Sequence, residues 1–202
     1  MSAFTPPDPD HKFFDPRDEI DHVTGNLPHW RQQGVMYFST FRTADSLPAP
    51  LLRQWQTEKE TWLRLHPEPW DAATRAEYIE RFPRRLQDWL DAGHGECVLA
   101  QPEPREIVER ALRHFDGTRY TLDEAFVAAN HVHVVLTPTV GHHLSAILHS
   151  WKSYTAHAIN RALGRTGEFW QQESHDHIVR SPDALHRIRN YIKNHASPKS
   201  SG

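Results

Sequence analysis

The segment RYTLDEAFVAANHVHVVLTP, residues 119–138, decides the fold of this chain. Its residues alternate between apolar and polar over two runs, Arg119–Ala128 and His131–Pro138, and two residues separate the runs. This pattern predicts two consecutive β-strands joined by a tight connection. Because side chains alternate between the two faces of a strand, His131 and His133 are expected on the same face of the sheet.

The elements around these two strands predict an α+β fold. Val35–Arg42 is rich in β-branched and aromatic residues and is typical of a strand, and Glu96–Ala100 has the length of a further short strand. Pro104–Phe115 and Leu144–Leu163 carry apolar residues at helical spacing. Strands and helices that alternate in this way indicate an antiparallel sheet flanked by helices.

Two further regions are expected to lie outside that sheet. Residues 1–33 contain five Pro and six acidic residues with little apolar periodicity, which predicts an irregular N-terminal arm. Residues 51–92 carry apolar residues at helical spacing and are interrupted by several Pro, which predicts a helical insertion. Residues 34–202 would then form a single domain that contains this insertion.

The composition narrows the classes of function. A chain of 202 residues is long enough for one domain with its own core, and its one cysteine, Cys97, excludes a disulfide framework. No apolar run approaches the ~20 residues of a membrane span, and the N-terminus lacks a signal pattern, so we expect a cytoplasmic protein.

The net charge is −7 over residues 1–142 and +4 over residues 143–202. A basic C-terminal part suits a polyanionic partner, although it also suits a solvated helix face.

The pair of His131 and His133 has two interpretations. Two imidazoles at positions i and i+2 of a strand can converge on one metal ion. The same spacing also suits a surface pair, or polar residues that are hydrogen-bonded inside the protein. The spacing alone leaves both interpretations open.

The last helix provides a second pair of residues. Ser181, Pro182 and Asp183 favour a helix start, which predicts a helix over residues 182–195. Tyr191 and His195 then lie one turn apart on the same helix face. A phenol one turn from a nitrogen ligand suits a nucleophile beside a metal ion. Alternatively, Tyr191 is a half-buried core residue and His195 interacts with the helix dipole.

Taken together and in order, these motifs resemble the single-tyrosine HUH transposases, and most closely the branch of REP-associated tyrosine transposases with an IS200-like domain. The segments that carry the resemblance are Asn130–His133 followed by apolar residues, Trp170-Gln171, Arg180, and NYIKNH at Asn190–His195. Leu27–Trp30 (LPHW) and Tyr37–Leu47 (YFSTFRTADSL) also resemble the opening of this family. The resemblance extends from about Leu27 to the end of the chain.

The resemblance implies a ferredoxin-like HUH core and a role for each residue of the two pairs. His131 and His133 would be metal ligands, and Tyr191 would be the nucleophile. His195 would be the third ligand, at a position where relatives often carry Asn or Gln. The family implies Mg²⁺ or Mn²⁺ as the cofactor, whereas imidazole ligands alone would also suit Zn²⁺.

The resemblance also implies a substrate, namely single-stranded DNA hairpins at the ends of repetitive palindromic elements. Tyr191 would attack a phosphodiester, release a 3′-hydroxyl and keep a 5′-phosphotyrosine bond, which another 3′-hydroxyl can attack to join strands. We therefore expect a DNA partner and no membrane, with the protein acting as a monomer or homodimer. The residues expected to contact DNA are Lys152, Arg161, Arg165, Trp170, Arg180, Arg187 and Lys193.

Two other functions stay open. One is a domesticated protein that binds hairpin DNA without transposing it. The other is a small zinc- or manganese-dependent hydrolase in which Tyr191 is structural. A covalent protein–DNA adduct that is lost in Tyr191→Phe would distinguish the transposase from both.

Overall fold

The structure is a computed structural model that describes residues 13–14, 21–24 and 28–196. The strands in chain order are β1 (Asp21–Thr24), β2 (Pro28–Arg31), β3 (Tyr37–Arg42), β4 (Tyr120–Val127), β5 (His131–Pro138) and β6 (His175–Ile178). The helices are α1 (Ala49–Leu65), α2 (Ala72–Ile79), α3 (Arg85–Asp91), α4 (Pro102–His114), α5 (Leu144–Ala162) and α6 (Pro182–Ala196).

Four of the strands form one antiparallel sheet in the order β4-β5-β3-β6. The chain passes through β3, α4, β4, β5, α5 and β6 in turn, which is the βαββαβ arrangement of a ferredoxin-like core. The predicted α+β fold with an antiparallel sheet and flanking helices is therefore confirmed. The predicted hairpin of β4 and β5 is present, and β5 lies in the interior of the sheet between β4 and β3.

The two faces of β5 belong to two different hydrophobic clusters. Val132, Val134 and Leu136 are fully buried on one face, in the same cluster as apolar residues of α4 and α5. Val135 lies on the other face, in a cluster with Ile192 and other residues of α6. The helix with the predicted nucleophile therefore covers the sheet face on which the histidine pair lies.

Helices α1 to α3 occupy the region predicted as a helical insertion, and aromatic side chains hold them together. Trp55, Trp62 and Phe82 are buried at the centre of this aromatic cluster, against Trp70 and Tyr78 among others. The carboxylate of Asp71 caps α2 by accepting a hydrogen bond from the amide of Thr74, at 2.7 Å. Between α2 and α3 the chain forms one π-helical turn, Glu80–Arg84, that contains Pro83.

The structure differs from the sequence-based expectations in two places. Glu96–Ala100 is not a strand, because Cys97 adopts a left-handed backbone conformation with φ of 51° and leads into a 3₁₀ turn over Val98–Ala100. Most of the arm predicted over residues 1–33 lies outside the described residues, but β1 and β2 pair there as a short antiparallel ladder. Among the described helices, none is long and apolar enough to cross a membrane.

We expect Phe82→Ala to lower the free energy of unfolding by about 3–5 kcal/mol, because it opens a cavity at a side chain that is completely buried. Denaturant titration of the variant measures this loss. Leu65→Ala is the control, since Leu65 is 70% exposed in the last turn of α1 and should change stability by no more than about 0.5 kcal/mol. Equal effects of the two variants would contradict the prediction.

Candidate active site

His131 and His133 are almost fully buried on β5, with exposed fractions of 1% and 0%. The hydrogen bonds of Asn130 determine which nitrogen of His131 carries the proton. The Asn130 side-chain amide donates to the carbonyl of His94 at 2.9 Å, which directs Oδ1 of Asn130 toward Nδ1 of His131, at 2.8 Å. Nδ1 must therefore be the donor, and the neutral ring of His131 has its lone pair on Nε2.

Both ring nitrogens of His133 have polar neighbours within the site. Its Nε2 lies 3.0 Å from Nε2 of His131 and 3.4 Å from the side-chain amide nitrogen of Gln87, which also lies 3.1 Å from Oδ1 of Asp91. Its Nδ1 lies 2.8 Å from the hydroxyl of Thr40 on the neighbouring strand, and a hydroxyl both donates and accepts. These contacts suit either neutral tautomer of His133.

The Nε2 atoms of the two histidines face each other only 3.0 Å apart, a distance at which one neutral ring can donate its N–H to the other. Burial lowers the pKa of His131 to about 4 and holds the pKa of His133 well below its ordinary value, which favours neutral rings with one lone pair each. Adjacent ligands of an octahedral ion with bonds of about 2.1 Å are also about 3.0 Å apart. The donor atoms of this pair thus fit two ligand positions on one divalent ion.

Tyr191 projects from α6 onto the histidine pair. Its hydroxyl oxygen lies 3.2 Å from Nε2 of His133, and its ring packs edge-on against Phe38. Burial raises the pKa of Tyr191, and the negative charges of Asp91 and Asp88 raise it further. Without a nearby cation, the phenol therefore keeps its proton.

His195 lies one turn beyond Tyr191 and contacts two acceptors. Its Nδ1 is 2.8 Å from the carbonyl of Tyr191, and its Nε2 is 2.7 Å from Oδ2 of Asp91. Oδ1 of the same carboxylate is 3.8 Å from Nε2 of His131. Asp91, in the last turn of the helical insertion, thus connects the histidine on the sheet with the histidine on α6.

The contacts of His195 with Asp91 and with the carbonyl of Tyr191 compete with its predicted role as the third metal ligand. While His195 donates to both acceptors, neither of its ring nitrogens offers a lone pair to a metal. In the described part of the chain, no three His, Cys, Asp or Glu side chains are already arranged to hold a metal ion. The structure therefore brings together all four residues that the sequence singled out, but it directs His195 toward Asp91 rather than toward the histidine pair.

A β-bulge on β4 holds α6 in place over the sheet. The pairing of β4 with β5 shifts by one residue between Leu122 and Glu124, so that Asp123 is the extra residue. The carboxylate of Asp123 accepts two hydrogen bonds from the guanidinium of Arg189, two residues before Tyr191. This ion pair fixes α6 against the edge strand next to the site.

Among the predicted DNA contacts, Trp170 requires a correction. Its side chain is only 6% exposed, its Nε1 donates to the hydroxyl of Thr155 at 2.8 Å, and its ring packs against Phe41. A ring that is part of the core has no free face on which a base could stack. Lys152 is half-buried, and its ammonium donates to the carbonyl of Gln172 at 2.7 Å.

The other predicted DNA contacts are basic residues on the surface. Arg187 is exposed on α6 one turn before Tyr191, and Lys193 pairs with Glu124 at 3.7 Å. Arg161 is exposed in the last turn of α5, and Arg165 forms a two-bond ion pair with Glu96. Arg180 lies over the ring of Phe14. Only Arg187 and Lys193 share the helix that carries Tyr191.

Sequence reasoning missed three residues of the site: Thr40, Gln87 and Asp91. Thr40 follows from the register that pairs it with His133, and the sequence does not give that register. Gln87 and Asp91 lie four residues apart, on one face of a helix in the predicted insertion. That spacing was visible, but nothing in the sequence indicates that this face turns toward the sheet.

The comparison with known proteins bears on the same region. Residues 100–195, which include both histidines of β5, Tyr191 and His195, match the family model described as "Transposase IS200 like". The resemblance to the IS200-like transposases is thereby confirmed. This match indicates a transposase-type role for the matched region. No curated protein sequence matches the chain.

Two solved structures are similar to the chain. One is a REP-associated tyrosine transposase bound to a REP hairpin, with a TM-score of 0.44, 13% sequence identity, and coverage of 84% of this chain and 70% of that chain. The other is a proposed transposase from Deinococcus radiodurans R1, with a TM-score of 0.34, 15% identity, and coverage of 82% and 93% of the two chains.

The buried neutral histidines predict that the metal-free protein loses stability as the pH falls. His131 takes up a proton near pH 6.5 in the unfolded chain but only near pH 4 in the folded protein. Between these values the unfolded state binds more protons, so the free energy of unfolding should decrease on acidification, by on the order of 3 kcal/mol. Urea titrations between pH 7 and pH 4 in the presence of a chelator measure this decrease.

The matched variants for this measurement are His131→Leu and His149→Leu, the latter at an exposed position on α5. The decrease should become smaller in His131→Leu and should be unchanged in His149→Leu. The prediction is wrong if all three proteins lose the same stability on acidification.

Proposed function

We propose that this protein cleaves single-stranded DNA and transfers the cleaved strand, with Tyr191 as the nucleophile and hairpin-bearing element ends as the substrate. One observation carries the proposal. The hydroxyl of Tyr191 lies 3.2 Å from Nε2 of His133, and Nε2 of His131 lies 3.0 Å from that same atom. A phenol beside two converging imidazole nitrogens suits metal-assisted phosphoryl transfer better than it suits a packed core.

The chemistry that we propose begins at the phenol. The Tyr191 oxygen forms a bond to phosphorus as it loses its proton, and the bond from phosphorus to the 3′ oxygen breaks as that oxygen gains a proton. The protein then holds the 5′ end of the DNA through a phosphotyrosine bond. Because this step exchanges one phosphodiester for another, a second 3′-hydroxyl can reverse it and join two strands without an external energy source.

The residues that would hold the divalent ion, Mg²⁺ or Mn²⁺, are His131 and His133, with His195 as the third ligand once it has left Asp91. Such an ion supplies positive charge that neutralises a non-bridging phosphate oxygen and orients the phosphate for in-line attack. The residues around the phenol make that charge necessary, because Asp91 and Asp88 disfavour both a phenolate and a bound phosphate. Thr40 and Asn130 orient the two imidazoles through their Nδ1 atoms.

The substrate and the assembly state are part of the same proposal. The sequence resemblance to the REP-associated branch supports a DNA hairpin as the recognised feature. Two exposed basic residues of α6, Arg187 and Lys193, would contact its phosphates. Both histidines and Tyr191 belong to one chain, so a monomer is sufficient for the chemistry that we propose.

The first test is a covalent adduct. Protein and Mn²⁺ are incubated with a hairpin-bearing single strand labelled at its 3′ end, and the mixture is denatured. The labelled fragment should remain attached to the protein through Tyr191. Tyr191→Phe should form no adduct and still bind the DNA, whereas Tyr154→Phe, at an exposed tyrosine of α5, should form it as the parent does.

Two results would contradict this proposal. DNA binding without any adduct in the parent protein would indicate a hairpin-binding protein. Strand cleavage that survives in Tyr191→Phe would indicate a hydrolase in which the tyrosine has no chemical role.

The second test concerns the metal. His131→Gln and His133→Gln should each weaken Mn²⁺ binding by at least about tenfold, because each removes one of two converging nitrogen donors. Titration calorimetry or the electron paramagnetic resonance signal of free Mn²⁺ measures the affinity without any DNA. His149→Gln, at an exposed position on α5, is the control and should bind Mn²⁺ as the parent does.

The same titration identifies the third ligand. If His195 takes this position, His195→Leu should weaken Mn²⁺ binding, while Asp91→Asn should not, since it releases His195 from its carboxylate partner. The opposite pattern would assign the position to Asp91 and refute the role proposed for His195.

A further inference from the structure

Three basic side chains from three different elements lie around one carboxylate near the end of β3. They are Arg42 of β3, Lys59 of α1 and Lys152 of α5, and we call them the cationic cluster. Each of them interacts electrostatically with Glu173, in the segment before β6. The cluster therefore joins the helical insertion to the sheet core, and only Lys152 among its members was expected from the sequence.

Lys59 is an unusual lysine because its side chain is buried, with an exposed fraction of 9%. Its ammonium lies 5.1 Å from the centre of the Trp55 ring. Among the residues that the structure describes, this ammonium has no hydrogen bond and no ion pair within 4 Å. Burial of an ammonium is costly unless acceptors satisfy it, so this group has unused capacity to bind an anion.

Arg42 is half-buried and likewise has no hydrogen bond or close ion pair for its guanidinium within the described part of the chain. Burial lowers its pKa, and only the charge of Glu173 acts in the opposite direction. The register of β3 and β5 pairs Arg42 with His131 and pairs Thr40 with His133. Arg42 therefore lies on the same sheet face as the two histidines, one cross-strand position away from them.

Few acceptors satisfy the donors of the cluster. Lys152 uses two of its three donor positions on the carbonyl of Gln172 and the hydroxyl of Ser174. Glu173, which is exposed, acts on all three cations, while Asp176 acts on Lys152 alone and Glu60 on Lys59 alone. The three cations thus share only one carboxylate and retain unsatisfied donors, which an anion with several oxygens would satisfy.

We propose that the cationic cluster binds a backbone phosphate of the single-stranded DNA, next to the phosphate that Tyr191 attacks. This inference rests on the proposed function, since it takes the bound anion from the same DNA strand. The position of Arg42 opposite His131 would bring the strand to the end of β3, beside the edge of the site formed by α6 and the histidine pair. Lys59 then gives the helical insertion a direct role in holding the substrate.

The test measures DNA binding as a function of salt. A fluorescent hairpin-bearing single strand is titrated with protein in the Tyr191→Phe background, which prevents cleavage, over a series of KCl concentrations. Each phosphate contact contributes about 0.7 to the slope of log K against log salt for single strands. Lys59→Met should reduce the slope by about 0.7, and Lys59→Met with Arg42→Met should reduce it by about 1.4.

Arg110→Met is the matched control, because Arg110 is exposed on α4 and its loss removes the same charge. Its slope should equal that of the parent. If Lys59→Met and Arg110→Met give the same slope, the cluster does not contact DNA. Circular dichroism melting of each variant checks that the fold is intact, and Met at position 59 keeps the apolar contact with Trp55.

A second measurement distinguishes DNA phosphate from free phosphate. If the cluster were only a site for small anions, inorganic phosphate would raise the melting temperature of the parent but not of Lys59→Met, while the salt slope for DNA would be unchanged. That result would overturn the proposal. The outcome is independent of the adduct experiment: a reduced slope without adduct formation would refute the proposed cleavage and leave this contact in place.

Discussion

The contact between the Nε2 atoms of His131 and His133, 3.0 Å apart inside the sheet, is the constraint on which the rest of the site depends. Burial lowers the pKa of both rings and so keeps two neutral imidazoles side by side near neutral pH. The fold maintains this contact because β5 is held by strands on both sides and each imidazole is anchored at Nδ1. The sheet, rather than a mobile loop, therefore fixes the positions of the two imidazoles.

The other parts of the molecule close around this pair from two directions. Helix α6 brings the phenol and His195 from above the sheet, and α3 of the insertion brings Gln87 and Asp91 from the side. The carboxylate of Asp91 on α3 connects α6 with the sheet, because it contacts His195 and lies 3.8 Å from His131. The insertion is thus part of the candidate site, and the aromatic cluster of α1 to α3 supports the position of Gln87 and Asp91 as well as the fold.

Much of this architecture follows from sequence patterns with a simple physical basis. The two-residue repeat of a β-strand predicts that His131 and His133 lie on one face of the sheet. The 3.6-residue repeat of an α-helix predicts that Tyr191 and His195 lie on one face of the last helix. The strand over Glu96–Ala100 was wrong because a left-handed residue, Cys97, interrupts it, and no pattern marks a non-glycine residue for that conformation. Trp170 was assigned to DNA on its residue type, whereas its burial depends on packing against Phe41, 129 positions earlier in the chain. Asp91 and Lys59 escaped notice because tertiary packing, not local periodicity, turns the insertion toward the sheet.

The bulge at Asp123 limits which sequence changes β4 can accept during evolution. One additional residue in an edge strand supplies the carboxylate that binds Arg189, two residues before the tyrosine whose hydroxyl lies 3.2 Å from His133. Deleting one residue of β4 would move the side chains that follow it in the strand to the opposite face and remove this ion pair. The protein should therefore tolerate substitutions in β4 more readily than changes in the length of this strand.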